Sequence, residues 1–217
     1  MNLQLRAIHI SREYRGTTVL KDCSYAFEDP GVYVLTGPNG SGKSTFLRIC
    51  ALLEKPDTGE IKYFNSGEQI PQNTALKRRI TLVLPGIGLF NTTVFQNIAY
   101  GLRIRGIKGK DASDRVERVL EIAGLVHKRD QNARNLSSGE AQRAGIARAL
   151  ALEPEFLFMD EPTASVDEKN TELIENIIHR LKEEKRSVVL MTTHDQPQAL
   201  RLADFRLEMR GGKIFPS

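Results

Sequence analysis

The sequence predicts an α/β fold: a mostly parallel sheet with helices on its faces, β structure ahead of it at the N-terminus, and an inserted helical subdomain. Three observations predict it. Short apolar runs of strand composition alternate with helical patterns, the order that a parallel sheet with crossover helices requires. A glycine-rich turn at residues 37–45 joins one such run to a helix. The middle of the chain, from Val94 to Leu136, changes to a mostly helical pattern.

Taken in order, Leu3 to Ile10 alternates apolar and polar residues. The alternation shifts register around Ala7, which predicts a half-buried strand with a bulge near that residue. Asp29-Pro30-Gly31 marks a turn before the apolar run Val32-Tyr33-Val34-Leu35, a buried strand. Ser44 to Leu53 follows as a helix. Gly59 to Phe64 and Ile80 to Leu84 have strand composition. In the helical block, Val116, Leu120 and Ala123 recur at helical spacing behind Asp111 and Ser113, two residues suited to capping a helix start. A helix is expected after Gly139 through Ala149, and a buried strand from Glu155 to Met159 ending at Asp160. Leu173, Ile174, Ile177, Ile178 and Leu181 form one face of an amphipathic helix. Ser187 to Met191 is the next strand, and Arg206 to Ile214 reads as a closing hairpin.

Composition narrows the class. The 217 residues are 40% hydrophobic and 27% charged, with a net charge of +4, as in an ordinary globular protein. No apolar run approaches the length needed to cross a bilayer, and Met1 to Ile10 carries no secretory apolar core, so a cytoplasmic protein is expected. Two cysteines, Cys23 and Cys50, are too few for a disulfide framework or a cysteine zinc site and read as buried thiols. The positive charge suits nucleotides, an anionic membrane face or nucleic acid without choosing among them.

The turn is Gly37-Pro38-Asn39-Gly40-Ser41-Gly42-Lys43-Ser44-Thr45. It fits G-x-x-x-x-G-K-[ST], the phosphate-binding loop (P-loop) of nucleotide triphosphatases, and it lies between a strand and a helix as that loop must. Successive N–H groups of such a turn wrap phosphates, and the helix start adds its positive dipole end. Lys43 is suited to reach the β- and γ-phosphates, and the Ser44 hydroxyl to ligate Mg²⁺.

Phe156 to Glu161 is an apolar strand ending in two carboxylates. Open α/β sheets bind ligands beyond the carboxyl ends of their strands. There Asp160 is suited to the metal and Glu161 to polarising an attacking water. His194, after the strand that begins at Ser187, is placed to sense a γ-phosphate by hydrogen bonding. His9, His127 and His179 read as structural.

Further segments carry a family resemblance. Leu136-Ser137-Ser138-Gly139-Glu140, with the helix-forming stretch Ala141 to Leu150, is similar to the L-S-G-G-Q signature of the ATPase subunit of ATP-binding cassette (ABC) transporters. Asp160-Glu161-Pro162-Thr163-Ala164-Ser165-Val166-Asp167 looks like the acidic strand end and D-loop of that family, and Thr192-Thr193-His194-Asp195 like its switch histidine. With the phosphate loop, these motifs stand in the family's order, and the chain resembles the family over nearly its whole length. The resemblance implies one cassette domain over 1–217, with a nucleotide-binding core at about 1–84 and 150–217. The core includes an N-terminal antiparallel β subdomain, and a helical subdomain occupies about 90–149. It implies ATP and Mg²⁺ as cofactors, and two cassettes stacked head to tail. In that pair the Ser137 hydroxyl and the Gly139 N–H contact the γ-phosphate held by the other chain, Asp167 crosses the interface, and Arg143 lies near it. Tyr14 falls where the family places an aromatic ring against adenine; an aromatic at a strand edge is the plainer alternative.

Two departures stand out. The family has a magnesium-ligating glutamine at the end of the strand leading into the helical subdomain. Here Ile80 to Leu84 is followed by Pro85, which occupies that position, while Gln72 is too early and Gln96 too late to replace it. Proline has no side-chain oxygen and a fixed φ, so a metal site with one protein ligand fewer is expected. Ser138 and Glu140 also depart, more mildly, from the signature.

The expected function is ATP hydrolysis that drives a solute, by weak preference an inorganic oxyanion, through separate permease subunits. This reading carries a homodimer or cassette pair, an extracytoplasmic solute-binding protein, no nucleic acid, and a place on the cytoplasmic face of the membrane. Val94 to Leu102 resembles a segment of importers of small solutes, and the chain leaves no room after its His194 motif for the C-terminal regulatory domain of some importer cassettes. The alternatives are a non-transport cassette acting on nucleoprotein, against which the lack of a heptad run and of a second cassette both speak, and a membrane-associated regulatory module, which only the partner would separate from import.

Overall fold

A computed structural model of the chain describes residues 3–86 and 88–217. The chain divides into two compact units: Met1–Leu82 with Glu155–Glu161 and Arg180–Ser217, and Val83–Pro154 with Pro162–His179.

The first unit holds the β structure. The strands are β1 (Leu3–Tyr14), β2 (Thr17–Phe27), β3 (Gly31–Thr36), β4 (Thr58–Asn65), β5 (Glu68–Ile70), β6 (Ile80–Val83), β7 (Phe156–Asp160), β8 (Val188–Thr193), β9 (Phe205–Arg210) and β10 (Lys213–Pro216). An antiparallel sheet runs in the order β2-β1-β4-β5, and a six-stranded sheet in the order β10-β9-β3-β8-β7-β6. In the latter β3 pairs in parallel with both β8 and β9, and β7 pairs in parallel with β8. β3, β7 and β8 are buried at every position, as strands covered on both faces must be.

β1 is longer than the alternation in Leu3 to Ile10 suggests. Its register against β2 shifts between Ala7 and Ile10, with His9 at φ 53°, and again before Tyr14, so the bulges break the period-2 pattern while the ladder continues. β2 escapes sequence reading because Lys21, Asp22 and Ser24 interrupt its apolar residues.

Helix α1 (Lys43–Cys50) follows β3, the four-residue α2 (Thr74–Lys77) precedes β6, and α7 (Gln196–Leu202) follows β8. The core between the sheets is aromatic: Phe27 meets Phe156 edge-on at 6.1 Å, and Phe156 stacks on Phe158 at 4.7 Å. Cys23 and Cys50 are buried free thiols, and burial raises the Cys23 thiol to about 11.

The second unit is helical: α3 (Val94–Ile104), α4 (Gly109–Ile122), α5 (Ser138–Leu150) and the first part of α6 (Glu168–Glu184). The fully buried Asn97 holds the entry to α3, accepting the Phe90 N–H at 2.8 Å and donating to the Phe90 and Thr93 carbonyls. Asp111 and Ser113 do not cap α4. The helix begins earlier, with Lys108 at the cap position and no side-chain cap, and Asp111 sits inside the first turn, paired with Arg115 at 2.9 Å.

Candidate functional site

The strand order explains the site. β7, β8 and β3 are neighbours and parallel, so the segments leaving their carboxyl ends converge. They are 37–45 after β3, Glu161 after β7 and His194 after β8.

The loop after β3 is locked by its own geometry. Gly37 has φ 149°, and a Cβ there would lie 2.5 Å from the Met209 carbonyl oxygen. Gly42, the cap of α1, has φ 105°, and a Cβ would meet Leu20 at 2.8 Å and the Val19 carbonyl at 2.9 Å. Gly40 differs: its φ of 79° favours glycine, but a Cβ there would meet nothing within 4 Å among the described residues. The Ser41 N–H donates to the Pro38 carbonyl at 3.2 Å and closes the turn around Asn39. Lys43 is the first residue of α1, one position earlier than the sequence suggests, and its side chain is only 5% exposed. It donates to the Gly37 and Pro38 carbonyls at 2.8 and 3.2 Å and stands 3.7 Å from Glu161 Oε1. Thr45, also buried, accepts a long contact from Arg48.

Asp160 is buried at the end of β7, where Oδ1 accepts the Ser44 hydroxyl at 3.0 Å and the Thr192 hydroxyl at 2.7 Å. Glu161 adopts φ 44°, a conformation that a non-glycine residue holds only when its surroundings impose it. Its N–H donates to Thr192 Oγ1 at 2.9 Å, and its carboxylate lies 3.4 Å from His194 Nδ1. Thr192 thus joins both carboxylate residues to β8. Sequence reading gave it no role; the signal was its place on the strand next to β7, visible only once strand order is known.

In the first unit the fold therefore brings together Gly37 to Thr45, Asp160, Glu161 and His194. Tyr14 lies in the same unit at the end of β1, half-buried, with Arg12 over its ring and its hydroxyl donated to Glu54.

The other predicted residues lie in the second unit. Ser137 caps α5 in a reciprocal box: its hydroxyl accepts the Glu140 N–H at 3.3 Å, and the Glu140 carboxylate accepts the Ser137 N–H at 2.9 Å. That N–H bond and the nearby Lys128 hold the Glu140 carboxyl below its ordinary range. The departure at Glu140 thus has a local structural use. Gly139 is buried against Asn170, with the Asn170 Cγ only 2.2 Å from where a Cβ would stand. Asn170 is itself held by Asp167, whose two oxygens accept its N–H at 2.8 Å and its side-chain amide at 2.6 Å. Both bonds lower the Asp167 carboxyl from its usual range. Arg143 is buried, donates from Nε to the Ala123 carbonyl at 2.9 Å, and leaves Nη1 without a hydrogen-bond partner among the described residues.

Known proteins resemble this chain. The ABC transporter family model matches residues 20–164. The tungstate uptake system ATP-binding protein TupC of Peptoclostridium acidaminophilum is 34% identical, covering 98% of this chain and 97% of its own length. The phosphate import ATP-binding protein PstB 2 of Natronomonas pharaonis is 36% identical over 94% of this chain and 76% of its own length. The structure of CbiO1 from Clostridium perfringens, part of the ABC transporter complex CbiONQ, superposes with a TM-score of 0.85 at 27% identity, covering 97% of this chain and 86% of that one. The chain belongs to the ABC transporter family and is one of its ATP-binding, ATP-hydrolysing subunits.

Proposed function

We propose that this chain powers the import of a solute, by preference an inorganic oxyanion, through separate membrane-spanning permease subunits. The observation that carries its engine is the convergence of Lys43, Asp160, Glu161 and His194 at three neighbouring strand ends. Import and the oxyanion preference rest on the tungstate and phosphate relatives. No helix among the described residues is long and apolar enough to cross a membrane, so transport would require partners. We place the chain on the cytoplasmic face of the membrane, as a cassette pair when ATP is bound, served by an extracytoplasmic solute-binding protein and without nucleic acid. One cassette domain would span 1–217.

In this reading the loop N–H groups and the start of α1 hold the phosphates. Lys43 exchanges its two backbone carbonyls for β- and γ-phosphate oxygens. Glu161, fixed by Thr192, orients the attacking water and takes its proton. His194, within reach of Glu161, donates to the γ-phosphate. Tyr14 stacks on the adenine. From the partner chain, Ser137 and Gly139 close over the γ-phosphate while Asp167 crosses the interface, so phosphate loss separates the pair.

Ser44 and Asp160 suit Mg²⁺. Both offer the hard oxygen atoms that Mg²⁺ takes, and the Ser44 hydroxyl lies 3.0 Å from Asp160 Oδ1. Bound there, Mg²⁺ would neutralise the β- and γ-phosphate oxygens. Pro85, exposed just beyond β6, supplies no ligand. We expect Pro85→Gln to lower the half-saturating Mg²⁺ for turnover about 10-fold; unchanged Mg²⁺ dependence and turnover would remove this idea.

The transport reading is tested by recovering Glu161→Gln with ATP and Mg²⁺ from gently solubilised native membranes. A multi-spanning permease among the co-purified proteins is expected. Division or nucleoprotein partners without a permease would replace import by a non-transport role and leave the ATPase assignment intact.

A further inference from the structure

Arg12-Glu13-Tyr14 ends β1, and Glu54-Lys55-Pro56-Asp57 lies in the connection after α1. The two stretches meet around one guanidinium. The Arg12 group lies over the Tyr14 ring, 4.8 Å from its centroid. Its Nε donates to Glu54 Oε1 at 3.0 Å, and its Nη1 to Asp57 Oδ1 at 2.5 Å. The Tyr14 hydroxyl donates to the same Glu54 oxygen, and the Glu13 N–H to Asp57 Oδ2 at 2.7 Å. The ring is therefore fixed at one face, at its hydroxyl, and through the backbone beside it.

The cluster has weight because it is not fully wet. Arg12 and Glu54 side chains are 25% and 19% exposed, so their charge-assisted bonds are less screened than a surface pair. Although burial opposes it, the Tyr14 hydroxyl and the Arg12 charge keep the Glu54 carboxyl below its ordinary range. Glu54 Oε2 also faces Arg48 Nε at 3.4 Å, and Arg48 reaches the Thr45 hydroxyl at 3.5 Å. These longer contacts link the ring to the end of the phosphate loop, so ring and loop share a frame.

An aromatic ring has two faces. With one covered by Arg12, a planar base can stack only on the other, and a ring already held loses little rotamer freedom when it does. A guanidinium is suited to this because its fork can hold carboxylates while its charge lies over the ring.

We propose that Arg12, clamped between Glu54 and Asp57, is a positioning residue for the nucleotide base: it holds the Tyr14 ring in one plane and presents its opposite face to adenine. The proposal rests on the reading of Tyr14 as the base-stacking residue.

The test compares binding of ATP and of inorganic tripolyphosphate, each with Mg²⁺, to the full chain and to Arg12→Met, Tyr14→Ala and the double variant. Arg12→Met keeps an apolar stem and removes the fork. It is expected to weaken ATP about 3- to 10-fold and leave tripolyphosphate unchanged. It should add nothing to Tyr14→Ala, because both act through one ring. Equal losses for both ligands would make Arg12 a structural residue of the loop and overturn the proposal. If Tyr14→Ala weakens ATP and Arg12→Met does not, the proposal falls and the role of Tyr14 stands. If Tyr14→Ala leaves ATP binding unchanged, both fall. Arg12→Lys serves if the methionine variant does not fold. It keeps the charge but loses the flat fork, so wild-type ATP affinity in that variant would also overturn the proposal.

Discussion

Glu161→Gln is expected to lower ATP turnover about 10²- to 10⁴-fold while ATP binding persists. Glu161 is turned out of the strand direction at φ 44°, its N–H is fixed by Thr192 Oγ1, and its carboxylate lies within 3.7 Å of Lys43 and 3.4 Å of His194. Glutamine has the same shape and can still accept from both neighbours, but it cannot take a proton. The phosphate loop does not depend on that proton. Removing one negative charge beside a triphosphate also favours binding. The ATP-bound pair should accumulate. Steady-state phosphate release, equilibrium ATP binding and size-exclusion chromatography with ATP check the three parts. Turnover within threefold of the wild type would remove Glu161 from the water-activating role.

Gly139→Ala is expected to lower the melting temperature by roughly 3–10 °C and ATP turnover by at least about 10-fold. The glycine has an ordinary helical role at the start of α5, so backbone freedom is not the reason. The reason is space: a Cβ would stand 2.2 Å from Asn170 Cγ and 2.6 Å from Asn170 Cβ. The Asn170 side chain cannot swing away without giving up its amide bond to Asp167 Oδ2. The methyl group therefore displaces either the start of α5 or Asp167, and both belong to segments proposed to meet the partner's nucleotide. Asn170→Ala in the same background should rescue little, because the Asn170 Cβ is already too close. Asn170→Gly should restore most of the melting temperature. Wild-type melting and turnover in Gly139→Ala would show that the contact yields freely.

The parts of this protein that could be read from the sequence are those written locally. The phosphate loop declares itself in nine consecutive residues between a strand and a helix. β3, β7 and β8 open as buried apolar runs, and Asp160, Glu161 and His194 stand at or just after the ends of β7 and β8. What could not be read depends on distant partners. Arg12 and Glu54 meet across 42 positions, and Thr192 joins Asp160 across 32. Neither pairing has a spacing that periodicity could detect. β1 outruns its alternation because a bulge at His9 reverses which residues face inward, and a pattern of period two ends there although the strand does not. Asp111 misled for the opposite reason: its residue type suits a cap, but the helix had already begun at Gly109 and left it an ion pair instead.

The strand order has a consequence for how the protein is made. β3 carries the phosphate loop, yet both of its neighbours, β8 and β9, come from residues 188–210. The wall behind Gly37 is the Met209 carbonyl, on the second of those neighbours. During synthesis the nucleotide loop leaves the ribosome early, attached to a strand with both edges open, and waits through most of translation for the segments that pair with it. Nascent chains arrested before β8 should therefore hold ATP poorly however complete their phosphate loop. For much of its birth the chain's most recognisable motif is also its least supported one.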